Sequence, residues 1–341
     1  MPNIYDVARV AGVSRSTVSR VINNQKSVKD EKRQRVLDAI KEMNYTPNAT
    51  ARALAMNKTN AIGVIARELT ETFNAEFISG IHEFADSENY GVVFCMRTLN
   101  DKANINYIDF LNKKVDGLIF IGEYTVTEDE LRSLAQSEIP VIAMEIKYPI
   151  EPITYITIDN FDTSYNSIKM LHDLGHRRIV NFTADDITQE KDQRTGGYEK
   201  AVTELKHEYM KTYEVPYDIK DAHDIVKSTI PEILANGVTA AFCYNNIIAV
   251  ALAEGIIQAG LSIPDDFSII GFDDIHYTNI AEVAFPRFTS NLQPQRAMAE
   301  YSVKKLVEII DRPKGEKIKN FNKEFKCKLM IHQSTGKAPQ K

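Results

Sequence analysis

The sequence predicts a small all-α head with a hinge helix, joined to an α/β core of two doubly wound parallel-sheet subdomains. Three observations predict this. The first 58 residues carry 11 Lys and Arg against 5 Asp and Glu, a local charge of +6, while the remainder carries 30 basic and 42 acidic residues, or −12. Inside that cationic head, IYDVARVAGVSRSTVSRVIN (residues 4–23) reads as two short helices broken by a glycine, the spacing of a helix-turn-helix. From Ala61 onward, short apolar runs alternate with amphipathic stretches, which is the signature of βαβ units. The charge contrast implies a polyanion met by one end of the chain only.

In the head, Asn3 caps a helix beginning at Ile4, Asp6 complements the dipole in its first turn, and Gly12 supplies the backbone freedom to end it. Ser14 caps a second helix. Its Val18, Val21 and Ile22 share one face, while Arg15, Ser16, Ser19, Arg20 and Asn23 share another. Ser27 with Asp30 opens a third helix, whose Val36, Leu37, Ile40 and Met43 close a three-helix core. The polar face of the second helix suits a DNA major groove, where arginine pairs with guanine O6 and N7 and hydroxyls reach phosphates and base edges. Arg15, Ser16 and Arg20 are the residues expected to read bases.

The next stretch, YTPNATARALAM (residues 45–56), has Pro47 for an extended entry, Asn48 as a cap and four alanines that favour helix. It is too short to be stable alone, because isolated helices below ~12–15 residues are marginal in water. Leu54, near Arg52, has the character of a wedge for a minor-groove base step.

Composition excludes several function classes. Hydrophobic content is 43% and charged content 26%, with no apolar run near the roughly 20 residues of a bilayer span and no signal-peptide pattern, so no membrane role and a cytoplasmic location are expected. Cys95, Cys243 and Cys327 stand far apart without a C-x-x-C pair, which argues for reduced thiols and against a zinc site. No G-x-S-x-G, H-E-x-x-H or Walker-type loop is present, so no catalytic residues, metal or cofactor are expected.

In the core, buried strands are expected at 61–65, 92–96, 117–121 and 140–144, with helices at Glu76–Ser87, Ile105–Asn112 and Thr127–Gln136. A second set places strands near Tyr155–Ile158, Arg178–Phe182, Ala240–Cys243 and Ser268–Gly271. Its helices fall near Asp162–Leu174, Gln193–Leu205, Ile225–Ala235 and Ile247–Ala259. Open parallel sheets bind ligands at the carboxyl ends of their strands, so a cleft between the two halves is the expected pocket. Arg194, Asn245 and Asp273 fall at such ends and are suited to multidentate hydrogen bonds with a hydroxylated ligand, and Phe73 is suited to cover a sugar's apolar face.

Residues 4–56 resemble the head and hinge of the LacI/GalR family of bacterial transcription regulators. The core motifs LGHRRI (174–179), RTGGY (194–198), GLSIPDDFSIIGFDD (260–274) and Gln293-Pro294 resemble that family in order and spacing. The resemblance implies Arg15, Ser16 and Arg20 on base edges, and Tyr5, Ser14, Thr17, Ser19 and Asn23 at or near phosphates. It also implies that Asn48, Ala51 and Leu54 belong to a hinge helix in the minor groove. It further implies a periplasmic-binding-protein-like core whose effector cleft is lined by Phe73, Arg194, Asn245 and Asp273, with Gln293 in the connecting region. The segments are then a head at 1–46, a hinge at 47–58 and a core at 59–341. The core divides into a first subdomain of about 60–160 and 292–320 and a second of about 161–291 and 321–333.

The expected function is a cytoplasmic homodimeric repressor of a carbohydrate-use operon, binding a pseudo-palindromic operator and controlled by a mono- or disaccharide effector. A global catabolite regulator with a phosphocarrier protein as corepressor is the alternative. Two departures from the family pattern bear on the core: Asn246 stands where an Asp is usual, and Thr163 where DNxxG would have Gly. After Gln333 the tail lacks leucine heptads, which favours a dimer over a tetramer.

Overall fold

The head begins with a helix, α1 (Ile4–Ala11), closed at both ends. Asn3 Oδ1 accepts from the backbone N–H of Tyr5 and Asp6, and Asp6 Oδ2 accepts from Asn3 N–H at 2.9 Å, a reciprocal capping box. Gly12 ends the helix at φ +62°, and Arg35 Nη2 donates to the carbonyls of Ala11 at 2.6 Å and Gly12 at 3.2 Å. A Cβ on Gly12 would fall 2.3 Å from that nitrogen. The left-handed backbone therefore favours glycine, and a Cβ would also push the Arg35 guanidinium off these carbonyls.

Ser14 Oγ accepts from Thr17 N–H at the start of α2 (Arg15–Ile22). Helix α3 (Asp30–Glu42) starts after Lys29, which makes no side-chain cap, so the expected Ser27 cap is corrected; Asp30 and Glu31 stabilise that end through the helix dipole. Val7, Ala11, Val18, Val21, Val36 and Ala39 form the core. Leu37 stays 46% exposed, against expectation, because it lies about 100° around the helix from the stripe of Val36, Ala39, Ile40 and Met43.

In this computed structural model the described residues are 2–22, 27–45, 58–66, 72–97, 114–122, 125–146, 148, 150–185, 188–216, 219–273, 286–313 and 315–340. The expected hinge helix with Asn48, Ala51 and Leu54, the helix at Ile105–Asn112, and Asn23 lie outside them. The chain forms two compact units, Met1–Asn60 and Ala61–Lys341.

Among the described residues the larger unit contains two six-stranded sheets. The first has β1 (Ala61–Ala66), β2 (Gly91–Met96), β3 (Gly117–Ile121), β4 (Val141–Met144), β5 (Thr154–Ile158) and β11 (Lys323–Phe325), in the order β11-β5-β4-β3-β1-β2, all parallel. The second has β6 (Arg178–Ala184), β7 (Tyr209–Val215), β8 (Ala240–Cys243), β9 (Ser268–Phe272), β10 (Thr289–Leu292) and β12 (Lys328–Met330), in the order β12-β10-β9-β8-β6-β7, with only β12 antiparallel.

Helices cover the sheets, as parallel strands require. Helix α4 (Thr72–Ser87) packs beside α10 (Gln295–Ile310) on the first sheet, and α5 (Glu128–Ala135) lies over the opposite face. On the second sheet α6 (Asn160–Asp173) pairs with α7 (Gln189–Glu204), and α8 (Ile219–Ala235) with α9 (Asn246–Gln258). Gly197 in α7 permits the close approach of α6, since a Cβ there would fall 2.3 Å from Phe161 O. Central strands β3 and β9 are buried at every position.

Three expectations are corrected. Strand β2 is half exposed rather than buried, because it is an edge strand with Val93 and Met96 turned outward. The strand around Tyr155 belongs to the first sheet rather than to the second set. Residues 321–333 do not all join the second subdomain: β11 pairs with β5, Lys323 opposite Ile156, and only β12 joins β10. The chain thus passes between the sheets after β5, after β10 and between β11 and β12.

Candidate DNA interface and effector cleft

On the head, the residues expected to touch DNA fall at two helix starts. Tyr5 lies in the first turn of α1 and Arg15 opens α2; Arg15 Nη1 donates to Tyr5 Oη at 3.0 Å. Beside them, Ser14 Oγ lies 2.8 Å from Ser16 Oγ and 2.9 Å from Thr17 Oγ1. The start of α2 therefore presents hydroxyls, a guanidinium and the positive end of a helix dipole, a combination that favours a phosphate backbone and base edges. Arg20 is exposed one and a half turns further on, and Ser19 is partly buried.

In the larger unit, the cleft chemistry centres on Arg194, which is 3% exposed on α7. Its Nε donates to Asn160 Oδ1 at 2.8 Å and its Nη1 to Tyr244 O at 2.7 Å. The guanidinium lies 3.6 Å from the Phe272 ring centroid and 4.6 Å from that of Tyr244. Two hydrogen bonds and two aromatic faces fix its plane, which is how a planar guanidinium becomes a directional donor. Each partner sits where a strand or helix ends: Asn160 opens α6, Tyr244 follows β8, and Phe272 closes β9.

Asp273 follows Phe272 at φ +86°, its N–H donating to Asn291 O at 2.9 Å. Gln293, just past β10, donates from Nε2 to Asp273 Oδ1 at 2.7 Å, and its buried Oε1 accepts no hydrogen bond among the described residues. Through Phe272, the Arg194 guanidinium is thus linked to the Asp273–Gln293 pair just past strands β9 and β10 of the second sheet. Asn245 is buried as the cap of α9, its Oδ1 accepting from Ile248 N–H at 3.0 Å. Phe73 falls in the first turn of α4, but its side chain lies outside the described residues.

The two departures have structural accounts. Asn246 Oδ1 accepts from Ser290 Oγ at 3.0 Å between α9 and β10. Thr163 Oγ1 donates to Asp159 Oδ1 at 3.0 Å, and the same oxygen accepts from Cys327 N–H at 2.9 Å, which ties two of the inter-sheet passages together.

Several residues at element ends are not singled out by the sequence. Asn160, Tyr244 and Phe272 are among them, as the partners of Arg194. Glu145, buried at φ +54° directly after β4, and Arg97, buried after β2, went unnoticed. Arg97 donates to both Glu130 oxygens at 2.8 and 2.7 Å and to Thr125 O at 2.9 Å. A charged residue directly after a buried apolar run was the available signal. His176 is structural, bonded at 2.8 Å to Thr239 Oγ1 and at 3.2 Å to Gly336 O.

The three cysteines are free, and burial pushes the Cys327 thiol up to about 12. Among the described residues no group of three or more His, Cys, Asp or Glu is placed to hold a metal, and no helix is long and apolar enough to cross a membrane.

Comparison with known proteins agrees with this division. The family model "Bacterial regulatory proteins, lacI family" matches residues 3–48, and "Periplasmic binding protein-like domain" matches residues 168–335. The chain is 35% identical to the transcriptional repressor PurR of Mannheimia succiniciproducens over 91% of its length and 92% of that protein's. It is 31% identical to catabolite control protein A of Priestia megaterium over 91% of its length and 92% of that protein's. A crystal structure of the Lac repressor dimer bound to operator and the anti-inducer ONPF shares the fold, with a TM-score of 0.83 at 24% identity over 98% of this chain and 99% of that one. These similarities extend over both compact units, and the named relatives are regulators rather than enzymes. The chain belongs to the LacI family of bacterial transcription regulators.

Proposed function

We propose that this regulator is a homodimeric repressor of a carbohydrate-use operon whose operator affinity is set by a mono- or disaccharide held between the two sheets. The observation that carries the effector reading is the Arg194 guanidinium, held flat on Phe272, with the Gln293–Asp273 pair on the next residue along. Fixed donors beside a carboxylate and an amide oxygen suit adjacent sugar hydroxyls, each of which donates once and accepts twice. On the head, Arg15, Ser16 and Arg20 read bases, Tyr5, Ser14, Thr17, Ser19 and Asn23 meet phosphates, and Asn48, Ala51 and Leu54 form a hinge helix in the minor groove. Two heads on a twofold axis would match a pseudo-palindromic operator.

Coupling follows if the sugar prefers one arrangement of the two lobes, biasing whether paired hinges fold; typical couplings are about 1–3 kcal/mol. The test is a thermal-shift screen of sugars against the full-length protein, followed by operator titration with the hit. No shift from any sugar, together with stabilisation by a nucleobase or sugar phosphate, would overturn the sugar reading.

The likeness to catabolite control protein A supports a second reading, with a phosphocarrier protein as corepressor. Calorimetric titration with that protein separates the two.

A further inference from the structure

Tyr5 and Arg15 are ten residues apart in sequence, on two different helices, and both side chains are exposed, Tyr5 by 63%. They nevertheless meet. Arg15 Nη1 donates to Tyr5 Oη at 3.0 Å, and the guanidinium carbon lies 5.6 Å from the centroid of the tyrosine ring. Neither contact helps to close the head core, which is built from Val7, Ala11, Val18, Val21, Val36 and Ala39. An unrestrained arginine spreads over many rotamers and loses that freedom when it docks on a base. Here a ring and a hydroxyl narrow its range before DNA arrives. Both helix starts are themselves fixed, α1 by the Asn3–Asp6 capping box and α2 by Ser14, so the tyrosine is a firm support.

We propose that Tyr5 is a positioning residue for base readout, holding the Arg15 guanidinium so that it pairs in the plane of a guanine edge. The preference for guanine at that operator position then belongs to the pair rather than to Arg15 alone. This rests on the DNA-reading role proposed above. The competing role for Tyr5 is a phosphate contact made independently of Arg15. The phenol uses a lone pair to accept from Arg15 and keeps its O–H to donate, so the contacts themselves do not separate the roles, but energetic coupling does.

The experiment selects an operator from a randomised duplex library with the full-length protein. Affinities are then measured at one salt concentration for that operator and for each single-base variant of a half-site. The proteins are wild type, Tyr5→Phe, Arg15→Ala and the double variant, with melting temperatures confirming that all are folded. We expect one guanine position at which Arg15→Ala removes a discrimination of roughly 5- to 150-fold. Tyr5→Phe should reduce discrimination at that same position at least about threefold, leave discrimination at other positions unchanged, and alter no discrimination when Arg15 is already Ala. If Tyr5→Phe lowers affinity by the same factor for every base and in both backgrounds, Tyr5 is an independent phosphate contact and the inference is overturned. Unaltered discrimination in Tyr5→Phe overturns it as well. If no duplex is enriched, the DNA-reading role falls first, and the inference with it.

Discussion

Replacing Arg194 by Met removes the most organised group of the cleft while keeping a long unbranched stem. The substitution takes one donor from Asn160 Oδ1 and one from Tyr244 O, both on buried residues, at a cost of about 1–3 kcal/mol each. It also removes a desolvated guanidinium from the Phe272 face, worth about 2 kcal/mol, while the thioether recovers part of the packing. A net loss of about 3–5 kcal/mol corresponds to a fall of roughly 6–20 °C in the melting temperature of the larger unit, taking about 2–4 °C per kcal/mol. The head is a separate compact unit, so operator binding without effector should persist. Thermal unfolding, effector calorimetry and operator titration check the three parts. A variant with wild-type melting and wild-type effector affinity would refute the claim that this guanidinium organises the cleft.

The remaining predictions draw on the sequence of the hinge and on the structure of the two units. Leu54→Ala should weaken operator affinity severalfold while leaving effector affinity intact; equal operator binding in a titration would remove the wedge role. Gly12→Ala puts a Cβ against Arg35 Nη2 at a left-handed φ and should cost the head about 1–2 kcal/mol, read as a lower head melting temperature with the larger unit unaffected. Burial, then His172 and Arg177, holds His207 down to about 4, against 6.5 ordinarily. Between these values the unfolded chain binds the extra proton, so His207's contribution is full above about 6.5 and is lost as pH falls toward 4. Denaturant melts of His207→Gln over that range should show a shallower fall in stability than wild type; parallel curves would contradict the assignment.

What could be read in advance depended on whether the signal was local. Helix α1 was legible because its stop and start are written in adjacent residues, Asn3, Asp6 and Gly12, and β3 and β9 because a strand buried on both faces is a continuous apolar run. Strands β11 and β12 were not legible. Each is three residues long and begins with an exposed lysine, and each exists only because a partner distant in sequence pairs with it, as Lys323 does with Ile156. Strand β7, YMKTYEV, hides for another reason: at a half-exposed edge Lys211, Thr212 and Glu214 interrupt its apolar residues, so no continuous apolar run marks it. The site divides in the same way. Asp273 and Gln293 stand out as polar residues just past strands, whereas Arg194 sits in the second turn of α7, and Asn160, Tyr244 and Phe272 acquire their roles only where α6, β8 and β9 converge on its guanidinium. Likeness to a family supplied the expectation of a ligand site there; the stacking on the Arg194 guanidinium came from tertiary contacts.

The central claim is that a ligand on Arg194, Asp273 and Gln293 changes how tightly the head holds DNA. The direct measurement is the affinity of the full-length protein for its selected operator, by fluorescence anisotropy, with and without saturating effector. The account predicts a change of roughly 5- to 150-fold, abolished in Arg194→Met. Identical operator affinities, with calorimetry showing the effector bound in both the free and DNA-bound protein, would contradict it.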